Sequence, residues 1–278
     1  LRFADHRASA KEDGEFVPQL SFFDYHFPFD DKRGIQKLVE DNWNNEILLV
    51  RAPTGAGKTD ASLLWASRQI AAHKADRLVI AMPTRFTANA LSVNIASTLS
   101  DTGLYHSSAW YSKYSKVQNG EMDMTEALAQ QKMAKLLVTP ITVCTIDHLL
   151  MSLTFTQENH HLICSNLANS CVVIDEADFY DDFTLANILF LLKVLHKWNV
   201  PVMIMSASLP ESALQLYRKA GSNIESILED KDSDRYKKCF NIKKQIEYDN
   251  ILDINYLLEY CVDRGNAIIY LNTVDKAI

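Results

Sequence analysis

The segment Ala52-Pro53-Thr54-Gly55-Ala56-Gly57-Lys58-Thr59 sets two glycines, a lysine and a hydroxyl residue at the spacing that wraps a phosphate chain. In such a loop the backbone N–H groups face the anion, and Gly55 and Gly57 keep side chains clear of it. Lys58 can reach the β- and γ-phosphates of a nucleoside triphosphate, and the Thr59 hydroxyl can ligate Mg²⁺. A second chemical cluster stands at Asp175-Glu176-Ala177-Asp178. Asp175 is the type of group that holds Mg²⁺, usually through water, and Glu176 the type that orients and deprotonates an attacking water. Asp178 is expected to tie into a neighbouring sheet segment instead of the metal. Together the two clusters imply ATP hydrolysis with Mg²⁺, carried by Lys58, Asp175 and Glu176.

That chemistry needs the loop between a strand and a helix, and the carboxylates at the C-terminal end of a strand. The hydrophobic pattern supplies both. Glu46–Val50 reads as a strand and Gly57–Ala72 as a helix, followed by a strand over Arg77–Met82 and a helix over Phe86–Leu99. Leu136–Val138 reads as a short strand and Ile146–Leu153 as a helix. Cys171–Ile174 and Val202–Met205 are apolar strands around a long helix over Phe183–Lys197. This βαβα rhythm predicts an α/β fold with a parallel sheet and helices on both faces. Thr102–Glu121 shows neither period and reads as a loop or lid, and Glu225–Lys244 as a charged crossing into another unit. Ile251–Val262 is helical in pattern and Ala267–Leu271 strand-like.

Composition narrows the class. Of 278 residues, 47% are hydrophobic, enough for a packed core. No run approaches the roughly 18 apolar residues of a membrane helix, and no signal peptide is evident, so no membrane partner and a cytoplasmic location are expected. The five cysteines lack tight paired spacing, which points to reduced, buried thiols. The net charge of −7 argues against bulk attraction to nucleic acid, though a local grip on phosphates remains open. The sequence starts at Leu1 and stops at Ile278 within what reads as a strand–helix unit, as expected of a piece of a longer chain.

Several further segments resemble those of superfamily 2 helicases. Pro83-Thr84-Arg85 after a strand, Thr139-Pro140, and Thr145-Ile146-Asp147-His148-Leu149 resemble the strand-contacting motifs. The resemblance implies nucleic-acid contacts at Thr84, Arg85, Thr139, Pro140 and Thr145. Ser206-Ala207-Ser208 resembles the coupling motif, with both hydroxyls available to it, and Gln36 matches the glutamine that reads adenine. Pro83-Thr84-Arg85-Phe86-Thr87-Ala88-Asn89-Ala90 is similar to the CRISPR-associated helicase-nuclease of type I interference systems, a family that commonly has Gln where His148 stands. Leu1–Ser9 resembles the end of that family's HD phosphohydrolase domain, in which the residue matching Asp5 is a metal ligand.

The resemblance implies residues 1–15 as the tail of an HD-type nuclease domain, 16–228 as a first RecA-like helicase domain, and 229–278 as a linker with the start of a second. It implies single-stranded DNA and an RNA-guided surveillance complex as partners, and a divalent transition metal in the HD domain missing here. In this class an arginine from the second domain completes the ATP site, so weak activity of this piece alone is expected. A DEAD-box RNA helicase and a non-catalytic nucleotide-binding module are the alternatives. Trp110, Tyr111 and Tyr114 with Lys113 and Lys116 could stack bases or form a lid. Phe27 and Phe29 suit either adenine stacking or bracing of the chain before Gln36, and His160-His161 reads as a solvated loop pair.

Overall fold

A computed structural model describes residues 25–98, 102–105, 124–178, 180–219, 224 and 226–229. The chain divides after Lys237, and the second unit, 238–278, lies outside the described residues. So do Asp5, Trp110–Lys116 and the helix and strand expected over 251–271.

The first unit is built on a seven-stranded parallel sheet. Its strands are β1 (Ile47–Arg51), β2 (Arg77–Met82), β3 (Thr102–Tyr105), β4 (Ile141–Thr145), β5 (Ser170–Ile174), β6 (Val202–Ser206) and β7 (Ile227–Glu229), in the order β3-β4-β2-β5-β6-β1-β7. The helices are α1 (Gly34–Asp41), α2 (Lys58–Ala71), α3 (Arg85–Thr98), α4 (Met124–Lys135), α5 (Ile146–Ser152), α6 (Glu158–Ala168), α7 (Asp182–Lys197) and α8 (Glu211–Lys219). β1, β2, β4, β5 and β6 are buried along nearly their whole length, which is why they read as continuous apolar runs.

Alternate strand residues feed two cores. Leu48, Val50, Leu78, Ile80, Val173 and Met203 face α1, α2 and α3, where Trp65 and Ile95 are buried. Leu49, Val79, Val172, Ile174 and Ile204 face α5, α6 and α7, with Leu149, Ile163, Leu191 and Leu195. α7 begins at Asp181, whose carboxylate accepts from the Thr184 N–H at 2.7 Å, and it carries His196 and Lys197 in its last turn. Among the described residues no helix is long and apolar enough to cross a membrane.

Four expectations need correction. Leu136–Val138 is not a strand: it is the turn that follows α4, where Leu137 takes a φ of 55° and the Val138 N–H donates back to the Met133 carbonyl at 2.9 Å. The strand begins after it, at Ile141. Thr102–Tyr105 is an edge strand paired with β4 instead of part of a loop. Ile227–Glu229 adds a strand to the first sheet, beside β1, before any crossing to another unit. His160 and His161 lie on α6, with His160 only 5% exposed, so they are not a solvated loop pair.

Candidate active site and adjoining cleft

β1 delivers the chain to the phosphate-binding loop at the carboxyl edge of the sheet. The Ala52 N–H donates to the Ser206 carbonyl at 3.1 Å, which roots the loop on β6. The Ala56 N–H turns back to the Pro53 carbonyl at 3.1 Å, leaving Thr54 and Gly55 exposed. Gly55 and Gly57 take φ values of 77° and 92°, the left-handed region that glycine enters freely. Gly57 is also sterically required, because a Cβ there would sit 2.4 Å from Gln36 Nε2. α2 starts directly afterwards, so Lys58 and Thr59 occupy its first turn, where the helix end favours an anion.

Gln36 is buried against this loop. Its Oε1 accepts from the Arg33 N–H at 2.8 Å, and its Nε2 donates to the Gly57 carbonyl at 3.4 Å. The amide assigned to adenine reading thus also joins the start of α1 to the loop. Arg33, which motif reading passed over, donates from its guanidinium to the Gly55 carbonyl. Tyr25, also passed over, donates to Asp60 on α2 at 2.8 Å. Phe27 and Phe29 form an edge-on pair at 5.6 Å with Phe29 exposed, and Phe27 packs against the core beside α1 and α2.

The acidic cluster follows β5, as its sequence requires. The Asp175 N–H donates to the Ala81 carbonyl at 3.0 Å and the Ala177 N–H to the Met205 carbonyl at 3.1 Å, so neighbouring strands hold the turn on both sides. Glu176 sits at a φ of 51°, strained for a residue with a side chain, and its N–H donates to Asp175 Oδ1 at 2.8 Å. Burial pushes the Asp175 carboxyl up to about 6, against the pull of Lys58 and the Glu176 N–H. Glu176 Oε1 receives the Lys58 ammonium at 3.5 Å, which brings together the two sequence clusters. Thr59 and Asp175 offer the hard oxygen donors that Mg²⁺ takes, and Asp175 is an ionisable carboxylate at the strand end, so the residues present fit that ion.

Asp178 accepts from both the Ser206 and Ser208 hydroxyls, and the Ser208 N–H donates to Ser206 Oγ at 3.2 Å. Burial works to raise the Asp178 carboxyl, but the two hydroxyl bonds outweigh it and leave it below its ordinary value. Asp178 therefore links β5 to the turn after β6, as the sequence reading expects.

Beyond β2 and β4 lies a cleft of about 630 Å³, lined by Thr84, Arg85, Lys135, Thr145, Asp147 and His148 among others. Thr84 caps α3, its hydroxyl accepting from the Thr87 N–H at 3.2 Å, and Arg85 is exposed. His148 Nε2 lies 2.7 Å from the Lys135 carbonyl, and burial pushes its ring down to about 4, so it is neutral at pH 7. Thr139 and Pro140 are not in this cleft. They precede β4, whereas Thr145 ends it, a separation of about 16 Å for five residues at roughly 3.3 Å each. The Thr139 hydroxyl bonds to the Ile141 carbonyl and to Thr142 at 2.9 and 2.7 Å, and the Pro140 carbonyl accepts from Leu78 N–H at 2.9 Å.

Comparison with known proteins agrees with this arrangement. The family model of DEAD/DEAH box helicases matches residues 33–216. The CRISPR-associated endonuclease/helicase Cas3 of Thermus thermophilus is 28% identical over 242 residues, covering 79% of this chain and 25% of that protein. The CRISPR-associated nuclease/helicase Cas3 of Methanothermobacter thermautotrophicus is 24% identical over 299 residues, covering 100% of this chain and 35% of that one. The crystal structure of T. fusca Cas3-ATP superposes with a TM-score of 0.60 at 26% identity, covering 77% of this chain and 25% of that one. The chain thus spans about a quarter to a third of the length of these relatives. With the P-loop, the acidic strand end and the hydroxyl turn brought into contact, the chain belongs to the DEAD/DEAH box helicase family, as a Cas3-like member of helicase superfamily 2.

Proposed function

We propose that this chain is the first RecA-like motor domain of an ATP-driven translocase acting on single-stranded DNA, recruited by an RNA-guided surveillance complex in type I CRISPR interference. The observation that carries the motor reading is the approach of Lys58 to Glu176 across the gap between α2 and β5. The Cas3 names of the relatives support the CRISPR assignment.

The chain's own groups divide the work. The backbone N–H groups of Gly55, Gly57, Lys58 and Thr59 and the Lys58 ammonium bind the triphosphate. Gln36 orients the base while bracing Gly57. Thr59 and Asp175 would hold Mg²⁺, which supplies charge neutralisation at the phosphates when bound. Glu176 takes the proton from the attacking water. Asp178 with Ser206 and Ser208 relays the state of this site, and Thr84, Arg85 and Thr145 contact the DNA backbone in the neighbouring cleft.

We further assign residues 1–15 to the end of an HD nuclease domain with Asp5 as one of its transition-metal ligands, 16–228 to the first motor domain, whose last strand runs on to Glu229, and the remainder to 278 to a linker and the start of a second. An arginine from the second domain contributes on the order of 10³–10⁵ in rate in related NTPases, so residues 1–278 alone are expected to hydrolyse ATP slowly. The deciding experiment compares ATPase stimulation of the full-length protein by single-stranded DNA and by RNA. Stimulation by DNA is expected. Stimulation by RNA alone replaces this reading with a DEAD-box RNA helicase, and ATP binding without turnover, unchanged by Glu176→Gln, replaces it with a non-catalytic nucleotide-binding module.

A further inference from the structure

Arg51 ends β1 and directly precedes the phosphate-binding loop. The register places it between Ser206 on β6 and Glu229 on β7, with the three side chains on one face of the sheet. All three guanidinium nitrogens donate. Nε and Nη2 bond the two Glu229 oxygens at 3.0 and 2.7 Å, Nη2 also bonds Glu211 at 3.0 Å, and Nη1 bonds the Leu209 carbonyl at 2.8 Å. The bidentate pair with Glu229 is about one-fifth exposed on each side, so its geometry is specified as well as its charge.

These contacts reach three separate segments: β7, the first turn of α8, and the residue after Ser208. The Ser206–Ser208 turn is therefore gripped from two sides, by Asp178 at its hydroxyls and by Arg51 at the next carbonyl. The Ala52 N–H bond to the Ser206 carbonyl ties the same turn to the loop that follows Arg51.

We propose that Arg51 is a positioning residue: it seats the Ser206–Ser208 turn and β7 on the root of the phosphate-binding loop, and thereby couples ATP turnover to the nucleic-acid cleft. The proposal rests on the coupling role assigned above to Ser206 and Ser208. A lysine cannot replace the three-way fork, and a neutral side chain loses both the charge and the paired donors.

The test uses the full-length protein with Arg51→Gln, Arg51→Lys, Glu229→Gln and the double Arg51→Gln/Glu229→Gln variant. ATPase is measured with and without single-stranded DNA, separating kcat from KM, alongside thermal unfolding. Arg51→Gln is expected to keep the KM for ATP and the DNA-independent kcat within about threefold, and to lower the DNA-stimulated kcat by about tenfold or more. Arg51→Lys should recover part of the stimulation, and the double variant should be no worse than Arg51→Gln, because the two residues act as one unit. A stimulated wild type with an equally stimulated Arg51→Gln overturns the Arg51 proposal alone. Parallel loss of basal activity, stimulation and melting temperature also overturns it, leaving Arg51 a structural ion pair. A wild type that nucleic acid fails to stimulate overturns the coupling reading, and this proposal with it.

Discussion

Lys58 Nζ rests 3.5 Å from Glu176 Oε1, so the proposed phosphate ligand and the proposed general base hold each other between α2 and β5. A substrate phosphate must draw the lysine away from that carboxylate before Glu176 can act on water. Glu176→Gln weakens the pair and removes the base together. The variant is expected to bind ATP at least as well as the wild type and to lose about 10²–10⁴ in kcat, read by nucleotide titration and steady-state turnover. Unchanged turnover would remove Glu176 from the reaction.

Burial of the Asp175 carboxyl is expected to make the ligand-free chain less stable at neutral pH. That carboxyl binds a proton more tightly in the folded chain, at about 6, than at its ordinary value of 3.8. The stabilisation this provides is complete below 3.8 and is lost as pH rises through about 6. At about 1.4 kcal/mol per unit the loss is at most about 3 kcal/mol. Asp175→Asn is therefore expected to raise the unfolding free energy of the ligand-free chain by about 1–3 kcal/mol at pH 8, with little gain near pH 4. Its ATPase should fall sharply. Denaturant melts at the two pH values check the sign, and a variant less stable at pH 8 contradicts it.

If Asp175 holds Mg²⁺ as proposed, ion binding requires its ionised carboxylate. Below about pH 6 the apparent Mg²⁺ affinity of the wild-type chain with ATP should drop by up to tenfold per pH unit. Mg²⁺ titrations followed by a fluorescent nucleotide measure it. A flat profile between pH 5 and 7 excludes Asp175 as a ligand.

Gly57→Ala places a methyl group 2.4 Å from Gln36 Nε2 at a φ of 92°. The left-handed backbone costs about 1–2 kcal/mol for a residue with a Cβ, and the clash adds to it. Loss of stability of that order and weaker nucleotide binding are expected. Gln36→Ala in the same chain should relieve the clash but not the backbone strain, so only part of the stability returns.

Thr139 and Arg85 should separate by readout. Arg85→Ala is expected to weaken DNA binding, with a shallower salt dependence and unchanged melting. Thr139→Val leaves Thr142 without its 2.7 Å partner and should cost about 1–3 kcal/mol of stability, with DNA affinity retained by the folded fraction. Loss of DNA affinity in a stable Thr139→Val protein would return Thr139 to the interface.

The phosphate loop, the strands β1, β2, β5 and β6 and the acidic strand end were legible from sequence because each is local chemistry on a strong period. Backbone clearance, a lysine and a hydroxyl must be contiguous to wrap phosphate, and a strand buried on both faces must be apolar throughout. α4 and α6 were not legible. Each mixes Gln, Lys, Asn or His into its turns, so its apolar stripe is faint. β7 escaped because three residues carry too short a pattern to show a period.

Position across the sheet was decided by tertiary structure. Thr139-Pro140 and Thr145 are only five to six positions apart, yet β4 sends them to opposite ends of the sheet. Arg51 and Glu229 are 178 residues apart, yet parallel pairing sets them side by side. Motif residues announce chemistry because bonding geometry is local. Which of them meet depends on strand order and register, and those arise from packing of the whole sheet between its two layers of helices.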